Sequence, residues 1–189
     1  MFALNVPNLL TLMRILLVPV LVVALGTEAE SGLEIAAAVF VLAAATDGLD
    51  GYIARSRAAV TTFGKVMDPI ADKLLIAAAL MSLVTLDRVA AWVAMVVIAR
   101  EFAVSGLRIA AGQQGVVISA SGLGKVKTIV QSAAVLALIA APDADAVWVQ
   151  GLVYAMVVVT AISGADYFLN FRRRLGELAR PKPADQRTS

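Results

Sequence analysis

Hydrophobic residues dominate six stretches of the chain, each at least 16 residues long and separated by short polar segments. At about 20 residues per crossing, stretches of this length are typical of transmembrane helices. They predict six spans, at residues 8–26, 33–55, 65–86, 89–111, 126–142 and 146–171. The expected fold is therefore an all-α integral membrane protein with six transmembrane helices. Residues 1–175 form its single transmembrane domain, and the polar segment 176–189 is expected to be a disordered tail.

Composition narrows the chemistry that such a protein can perform. The 189 residues are 60% hydrophobic and 16% charged, whereas soluble domains are about 45–50% apolar and about 25% charged. Cysteine and histidine are both absent, which excludes thiolate catalysis and removes the usual general base and zinc ligand. Catalysis would have to use carboxylates, amines, hydroxyls or a hard cation. The formal net charge of +2 is too small to indicate a nucleic-acid partner.

The charges between the spans alternate in sign and predict the orientation of the chain. Acidic residues occupy 27–34 and 142–145, whereas Lys and Arg are concentrated in the second and fourth connections and after residue 171. Arg88 is the one basic residue in the remaining connections. By the positive-inside rule, both termini and the two basic connections are cytosolic. We therefore expect a multi-pass protein of the cytoplasmic (inner) membrane.

Four aspartates lie where membrane helices rarely carry charge. Asp47 and Asp50 are near the end of the second span, and Asp68 and Asp72 are near the start of the third. An aspartate at the centre of a membrane helix costs about 2.5–3.5 kcal/mol. Helical spacing places them on one stripe of each helix together with small residues; the two stripes are Asp47, Asp50, Gly51 and Ala54, and Gly64, Asp68, Ala71 and Asp72.

A pair of Mg²⁺ or Mn²⁺ ions would compensate four converging carboxylates, because hard divalent ions prefer oxygen ligands. Two such ions form a clamp suited to displacement at phosphorus. The alternatives are that the aspartates cap helices, reach towards the interface, or line the ion pathway of a cation-coupled carrier. A carrier would need inverted repeats or broken helices, and the sequence shows neither.

Residues 47–72 read DGLDGYIARSRAAVTTFGKVMDPIAD. This segment resembles the signature of the CDP-alcohol phosphatidyltransferases, which is D-x-x-D-G-x-x-A-R, eight residues, and then G-x-x-x-D-x-x-x-D. Every fixed position is filled, by Asp47, Asp50, Gly51, Ala54, Arg55, Gly64, Asp68 and Asp72. The resemblance implies a six-helix membrane fold and a divalent-metal-dependent reaction. In that reaction a hydroxyl attacks the phosphatidyl phosphorus of a CDP-linked lipid and CMP is released.

The same resemblance implies a role for each residue of the signature. Asp47, Asp50 and Asp68 would hold two metal ions, and Asp72 would deprotonate the attacking hydroxyl while also contacting a metal. The CDP moiety would pack against Asp47, Gly51, Ala54, Arg55 and Gly64. The family analogy also implies a homodimer, although no feature of the sequence identifies its interface.

The acceptor is expected to bind outside the signature. Ser105 and Arg108 share one face of the fourth span, and a glycine-bearing turn before the fifth is followed by Lys125 and Lys127. Exposed N–H groups at a helix N-terminus beside two lysines favour an anion, so we expect these four residues to bind the phosphate of the acceptor. The alternative is a basic loop that contacts anionic headgroups.

Weaker candidates accompany this group: Asn8, Arg14, Arg100, Glu101 and Thr128. Arg100 and Glu101 could simply pair with each other. Asn8, Thr11 and Arg14 form a polar stripe in the first span. That stripe fits either a cap with a headgroup-facing arginine or a substrate-lining wall. The tryptophans and tyrosines are expected to be interface or packing aromatics.

Further segments narrow the resemblance within the family. The chain resembles the phosphatidylglycerophosphate synthase branch over most of residues 4–131, in the runs NVPNLLTLMRILLVPV, FGKVMDPIADKLL, AREFAVSGLR and GKVKT. The implied substrates are CDP-diacylglycerol and sn-glycerol 3-phosphate. The protein would contact membrane lipids, and its active site is expected on the cytosolic side. Inositol phosphate, serine and cardiolipin-type acceptors are the rivals within the same chemistry. On charge alone inositol phosphate fits equally well, and only the resemblance of the fourth span disfavours it.

Overall fold

A computed structural model describes the backbone of residues 6–27, 31–57, 62–113 and 122–178. Within these ranges it describes the side chains of residues 8–27, 31–46, 67, 69–113 and 122–174. The regular structure of the described residues is entirely helical. The six helices are α1 (Val6–Leu25), α2 (Gly32–Arg57), α3 (Thr62–Thr85), α4 (Ala91–Gln113), α5 (Gly122–Ala140) and α6 (Val147–Leu178).

The six helices confirm the number and order of helices predicted from the hydrophobic stretches. Their ends lie within four residues of the predicted spans, except that α6 continues seven residues further, to Leu178. Three helices contain described stretches long and apolar enough to cross a membrane: Asn8–Leu25, Gly122–Ala140 and Val147–Arg174. In α2 the described side chains form a shorter apolar stretch, Gly32–Thr46.

The bundle is apolar outside and partly polar inside. Leu16, Val23 and Ile129 are more than half exposed, whereas Arg14 and Thr160 are fully buried. This distribution is the one expected when lipid is the solvent, because lipid provides no hydrogen-bond partner for a polar group. Alanines fill much of the interior and let the helices approach closely; Ala36, Ala43, Ala79 and Ala134 are all fully buried.

The helices pack in two connected groups. Helix α1 packs against α2 and α3, while α6 packs against α4 and α5. Contacts of α5 with α2 and α3, and of α3 with α4, join the groups. As a result, the beginnings of α3 and α5 and the ends of α2, α4 and α6 share one end of the bundle.

Arg88 lies at the opposite end of the bundle, where it caps a helix. Two residues after the end of α3, Asp87 has a φ of 54°, and backbone bonds run from Asp87 N to Val84 O and from Arg88 N to Leu83 O. This is the Schellman arrangement. The Arg88 side chain then donates from Nε to Leu138 O at 2.7 Å and from Nη2 to Ala141 O. Arg88 is the one basic residue in the otherwise acidic connections, and its guanidinium is bonded to carbonyls at the end of α5.

Candidate functional site

A cavity of about 540 Å³ lies at the end of the bundle where α3 and α5 begin. Four helices line it. The lining residues are Asp72 and Lys73 of α3; Arg100, Glu101, Val104, Ser105 and Arg108 of α4; Gly124, Lys125, Lys127, Thr128 and Ile129 of α5; and Ser163 and Tyr167 of α6. The cavity thus joins the last aspartate of the signature to the basic residues of α4 and α5.

The structure brings together the residues that the sequence assigned to the acceptor. Ser105, Arg108, Lys125 and Lys127 all line the cavity, and so do the weaker candidates Arg100, Glu101 and Thr128. Five basic and two acidic side chains contribute to the lining. In a concave site with low-dielectric walls, such an excess of positive charge favours an anionic ligand.

Glu101 connects the buried cations of this wall. Its Oε1 accepts hydrogen bonds from Lys127 Nζ at 2.5 Å and from Arg100 Nη1 at 3.1 Å. Arg100 Nη2 donates in turn to Ser163 Oγ at 3.0 Å. The pairing of Arg100 with Glu101 that the sequence allowed is therefore present, and Lys127 joins it. The network ties α4 to α5 and α6.

Arg108 and Lys125 form the more accessible side of the cavity. Both side chains are exposed, and neither makes an ion pair with another described residue. The Arg108 guanidinium carbon lies 5.8 Å from the centroid of the Tyr167 ring, within the range of a cation–π contact. The hydroxyl of Ser105 is engaged, because it donates to Glu101 O at 2.7 Å. Arg108 and Lys125 are thus the cations most available to an incoming anion.

Helix α6 contributes residues that sequence reasoning missed. Ser163 and Tyr167 line the cavity, although the sequence predicts only interface or packing roles for the tyrosines. Tyr167 is 6% exposed, and its hydroxyl has no hydrogen-bond partner among the described residues. A Cβ on Gly164 would lie 3.2 Å from Arg100 Cγ, so glycine makes room for Arg100. A detectable signal existed: Thr160, Ser163 and Tyr167 form a polar stripe in an apolar span.

The polar stripe of α1 is buried inside the bundle. Asn8, Thr11 and Arg14 are all buried, and Arg14 is 0% exposed. Arg14 Nε donates to Ala43 O of α2 at 3.3 Å, a carbonyl that also accepts from Thr46 Oγ1 at 2.7 Å. The interpretation of Arg14 as a headgroup-facing residue is therefore wrong. Ala43 lies one helical turn before Asp47, so the stripe packs beside the start of the acidic signature.

The signature itself spans the end of α2 and the beginning of α3. Asp72 is the only one of its fixed residues with a described side chain, and that side chain is partly buried. Asp72 also lines a second, very small cavity together with Glu101, Lys127 and Gln131. The other predicted metal and CDP ligands have helical backbone, but their side chains lie outside the described residues; they are Asp47, Asp50, Gly51, Ala54, Arg55, Gly64 and Asp68.

The chain matches the model of a known protein family. Residues 4–163 fit the family described as CDP-alcohol phosphatidyltransferase. The matched region includes the whole signature, the basic residues of α4 and α5, and α6 as far as Ser163.

Individual relatives are similar over nearly their full length. A Bacillus subtilis protein named CDP-diacylglycerol–glycerol-3-phosphate 3-phosphatidyltransferase is 41% identical over 186 residues, covering 87% of this chain and 93% of its own. A Rickettsia felis protein of the same name is 39% identical over 169 residues, with the same coverage. A Mycobacterium tuberculosis protein named probable phosphatidylglycerophosphate synthase is 39% identical over 177 residues, covering 91% of this chain and 84% of its own.

Proposed function

The chain belongs to the CDP-alcohol phosphatidyltransferase family, and we propose that it transfers the phosphatidyl group of CDP-diacylglycerol to sn-glycerol 3-phosphate. The products are phosphatidylglycerophosphate and CMP, so the reaction belongs to phospholipid biosynthesis. The names of relatives at about 40% identity support this choice of substrates.

The observation that carries the proposal is the basic cavity that reaches Asp72. A phosphorylated acceptor needs cations for its phosphate and a base for its hydroxyl within the length of one small molecule. Arg108, Lys125 and Lys127 supply the cations, and Asp72 lies in the same cavity wall. In the proposal the phosphate binds among α4 and α5 and directs the primary hydroxyl towards α3.

The proposed step is a direct displacement at phosphorus. The hydroxyl oxygen of glycerol 3-phosphate forms a bond to the phosphatidyl phosphorus, and the bond between that phosphorus and the oxygen of CMP breaks. The Asp72 carboxylate accepts the proton of the attacking hydroxyl, a role that falls to a carboxylate because the chain contains no histidine. Lys125, Lys127 and Arg108 hold the acceptor so that this hydroxyl is presented to the base.

Two Mg²⁺ or Mn²⁺ ions are part of the proposal, held by Asp47, Asp50, Asp68 and Asp72. The donor set fits, because hard divalent ions prefer carboxylate oxygens. The helical backbone places all four aspartates within about three turns of the 58–61 connection. When bound, the ions supply Lewis-acid stabilisation of the negative charge on the pyrophosphate and on departing CMP. Around them, Gly51, Ala54, Arg55 and Gly64 would pack against the CDP moiety.

The placement in the membrane follows from the charge pattern. We propose that all six helices cross the cytoplasmic membrane, with both termini and the active site on the cytosolic side. This places the cavity where water-soluble glycerol 3-phosphate is available, while the exposed apolar helix faces contact lipid. A homodimer through such apolar faces is the proposed assembly, as the family analogy implies.

The experiment that tests the proposed function measures CMP release by the purified protein. It is incubated with CDP-diacylglycerol and Mg²⁺ or Mn²⁺, and glycerol 3-phosphate, inositol phosphate, serine and phosphatidylglycerol are supplied in separate reactions. We expect acceptor-dependent release with glycerol 3-phosphate and a background rate with the others. CMP release with inositol phosphate alone would show that inositol phosphate is the acceptor. If no alcohol caused CMP release, the enzyme proposal would be overturned in favour of a carrier.

A further inference from the structure

Glu101 has no role in the displacement proposed above, yet two cations of the cavity bond to it, the buried Lys127 and the partly buried Arg100. Its Oε1 accepts from both Lys127 and Arg100, and Glu101 and Lys127 are only 9% and 7% exposed. We propose that Glu101 is a positioning residue for acceptor binding: it fixes the Lys127 ammonium where the phosphate of the acceptor binds. This inference rests on the proposed function and deepens it.

Burial explains why the two cations need this carboxylate. A buried ammonium or guanidinium is strongly unfavourable unless it is paired, and two like charges side by side oppose each other. Glu101 supplies the opposite charge to both. An ammonium group has three N–H donors, and the structure assigns one of those of Lys127 to Glu101. The remaining donors are left for a ligand in the cavity.

The surroundings of Glu101 restrict its own position. Its neighbour Arg100 is held against α6 by the bond to Ser163, in the space that Gly164 leaves open. Its backbone carbonyl accepts the hydroxyl of Ser105. Contacts within α4 and with α6 therefore restrict where Oε1 lies, and through it where Lys127 of α5 lies. Side chains held from several directions in this way are pre-organised for binding.

Lys127 and Glu101 also share their surroundings with the proposed base. Asp72, Glu101 and Lys127 line both the large cavity and the small one next to it. Without Glu101, the Lys127 ammonium would lose its only assigned partner among the described residues, and the Asp72 carboxylate would be the other acidic group in its cavity. We therefore infer that Glu101 keeps Lys127 directed to the phosphate of the acceptor.

Glu101→Gln tests this inference, because it retains size and removes the charge. We expect the KM and the Kd for glycerol 3-phosphate to rise about tenfold, the effect of one charge-assisted hydrogen bond. The KM for CDP-diacylglycerol should stay close to that of the wild type, whereas the Tm in detergent should fall because Lys127 and Arg100 lose the charge that pairs with them. Glu34→Gln, on the exposed first turn of α2, is the matched control and should change none of these quantities. Kd is measured by calorimetry with glycerol 3-phosphate, independently of turnover.

A double-mutant cycle with Lys127→Met shows whether Glu101 acts through Lys127. In the Lys127→Met background, Glu101→Gln should raise the acceptor KM by no more than about twofold, because coupled residues have non-additive effects. Independent, multiplying effects would overturn the inference.

The charge-reversed pair Glu101→Lys with Lys127→Glu separates positioning from simple cross-linking. It restores an ion pair between α4 and α5 but moves the cation to the other helix. We expect the acceptor KM to stay high. Recovery of a normal KM would show that Glu101 only joins the helices and would overturn the inference. If the wild-type protein released no CMP with glycerol 3-phosphate, the proposed function itself would fail. Normal acceptor binding by an active Glu101→Gln variant would overturn the positioning role alone.

Discussion

At the scale of single residues, Asp72 is the point where the two halves of the chemistry meet. It completes the acidic signature of α2 and α3, and it lines the cavity that contains the basic residues of α4 and α5. Histidine is the most common general base in enzymes, and a carboxylate can take this role. Because the chain contains no histidine, the Asp72 carboxylate is the proposed proton acceptor. Its charge, more than its size, should therefore be essential.

Asp72→Asn removes the charge of the proposed base with little change in shape. We expect kcat to fall by at least about a hundredfold, because general-base catalysis contributes a factor of this size or more. Binding of CDP-diacylglycerol, measured by calorimetry in the presence of Mg²⁺, should be largely retained. Complete loss of that binding would show instead that Asp72 acts chiefly as a metal ligand.

The buried hydroxyl of Tyr167 leads to a further prediction. A buried tyrosine hydroxyl usually has a hydrogen-bond partner, and the Tyr167 hydroxyl has none among the described residues. We expect it to bond to an oxygen of the acceptor. Tyr167→Phe should then raise the KM for glycerol 3-phosphate about threefold to tenfold and leave the KM for CDP-diacylglycerol unchanged.

The control for Tyr167 lies on the same helix. Tyr154 is 59% exposed, against 6% for Tyr167, and Tyr154→Phe should leave both KM values at the wild-type level. An unchanged acceptor KM in Tyr167→Phe would show that the phenol serves only as a surface for Arg108.

At the scale of secondary-structure elements, the helix ends contribute to binding at one end of the bundle and to stability at the other. Residues at the beginnings of α3 and α5 line the cavity. At the opposite end, Arg88 contacts the carbonyls of Leu138 and Ala141 at the end of α5. Those carbonyls have no partner within their own helix, so the Arg88 side chain should stabilise the fold without affecting catalysis.

Arg88→Met tests whether Arg88 contributes to stability but not to catalysis. Leaving partly buried carbonyls unpaired should cost about 1–3 kcal/mol of stability, seen as a lower Tm in detergent, while both KM values stay unchanged. Arg173→Met, an exposed position near the end of α6, serves as the control and should leave the Tm unchanged. A normal Tm in Arg88→Met would contradict the capping role, and a raised KM would show that this end of the bundle communicates with the site.

The elements themselves were largely predictable, and the contacts between them were not. Hydropathy depends on local composition, so the six helices follow from it to within a few residues at most ends. The Glu101–Lys127 and Arg100–Ser163 contacts join residues 26 and 63 positions apart, and helix packing decides such pairs. For the same reason the buried position of Arg14 could not be deduced: its polar stripe fits an outward or an inward face equally well.

At the scale of the whole molecule, the orientation of the bundle in the membrane decides whether the acceptor can reach the cavity. Glycerol 3-phosphate is water-soluble and anionic, so the cavity must face the compartment that contains it. In the proposed orientation, the end of the bundle that contains the cavity, where α3 and α5 begin, faces the cytosol.

The natural absence of cysteine allows the orientation to be tested directly, because single cysteines can be introduced without a background. Gln113→Cys lies at the cavity end of α4 and Asp143→Cys in the opposite connection, and both positions are exposed. A membrane-impermeant maleimide should label the position 143 variant in intact cells. It should label the position 113 variant only after the membrane is permeabilised, and the reverse pattern would place the cavity outside.

The proposed function requires that this site select glycerol 3-phosphate as the acceptor. The most direct measurement supplies the purified protein with CDP-diacylglycerol, a divalent metal ion and an equimolar mixture of glycerol 3-phosphate, inositol phosphate and serine. The lipid products are then identified by mass spectrometry. The account predicts phosphatidylglycerophosphate as the dominant new lipid, formed in equal amount to the CMP released. A phosphoinositide or phosphatidylserine as the main product, or no new lipid, would contradict it.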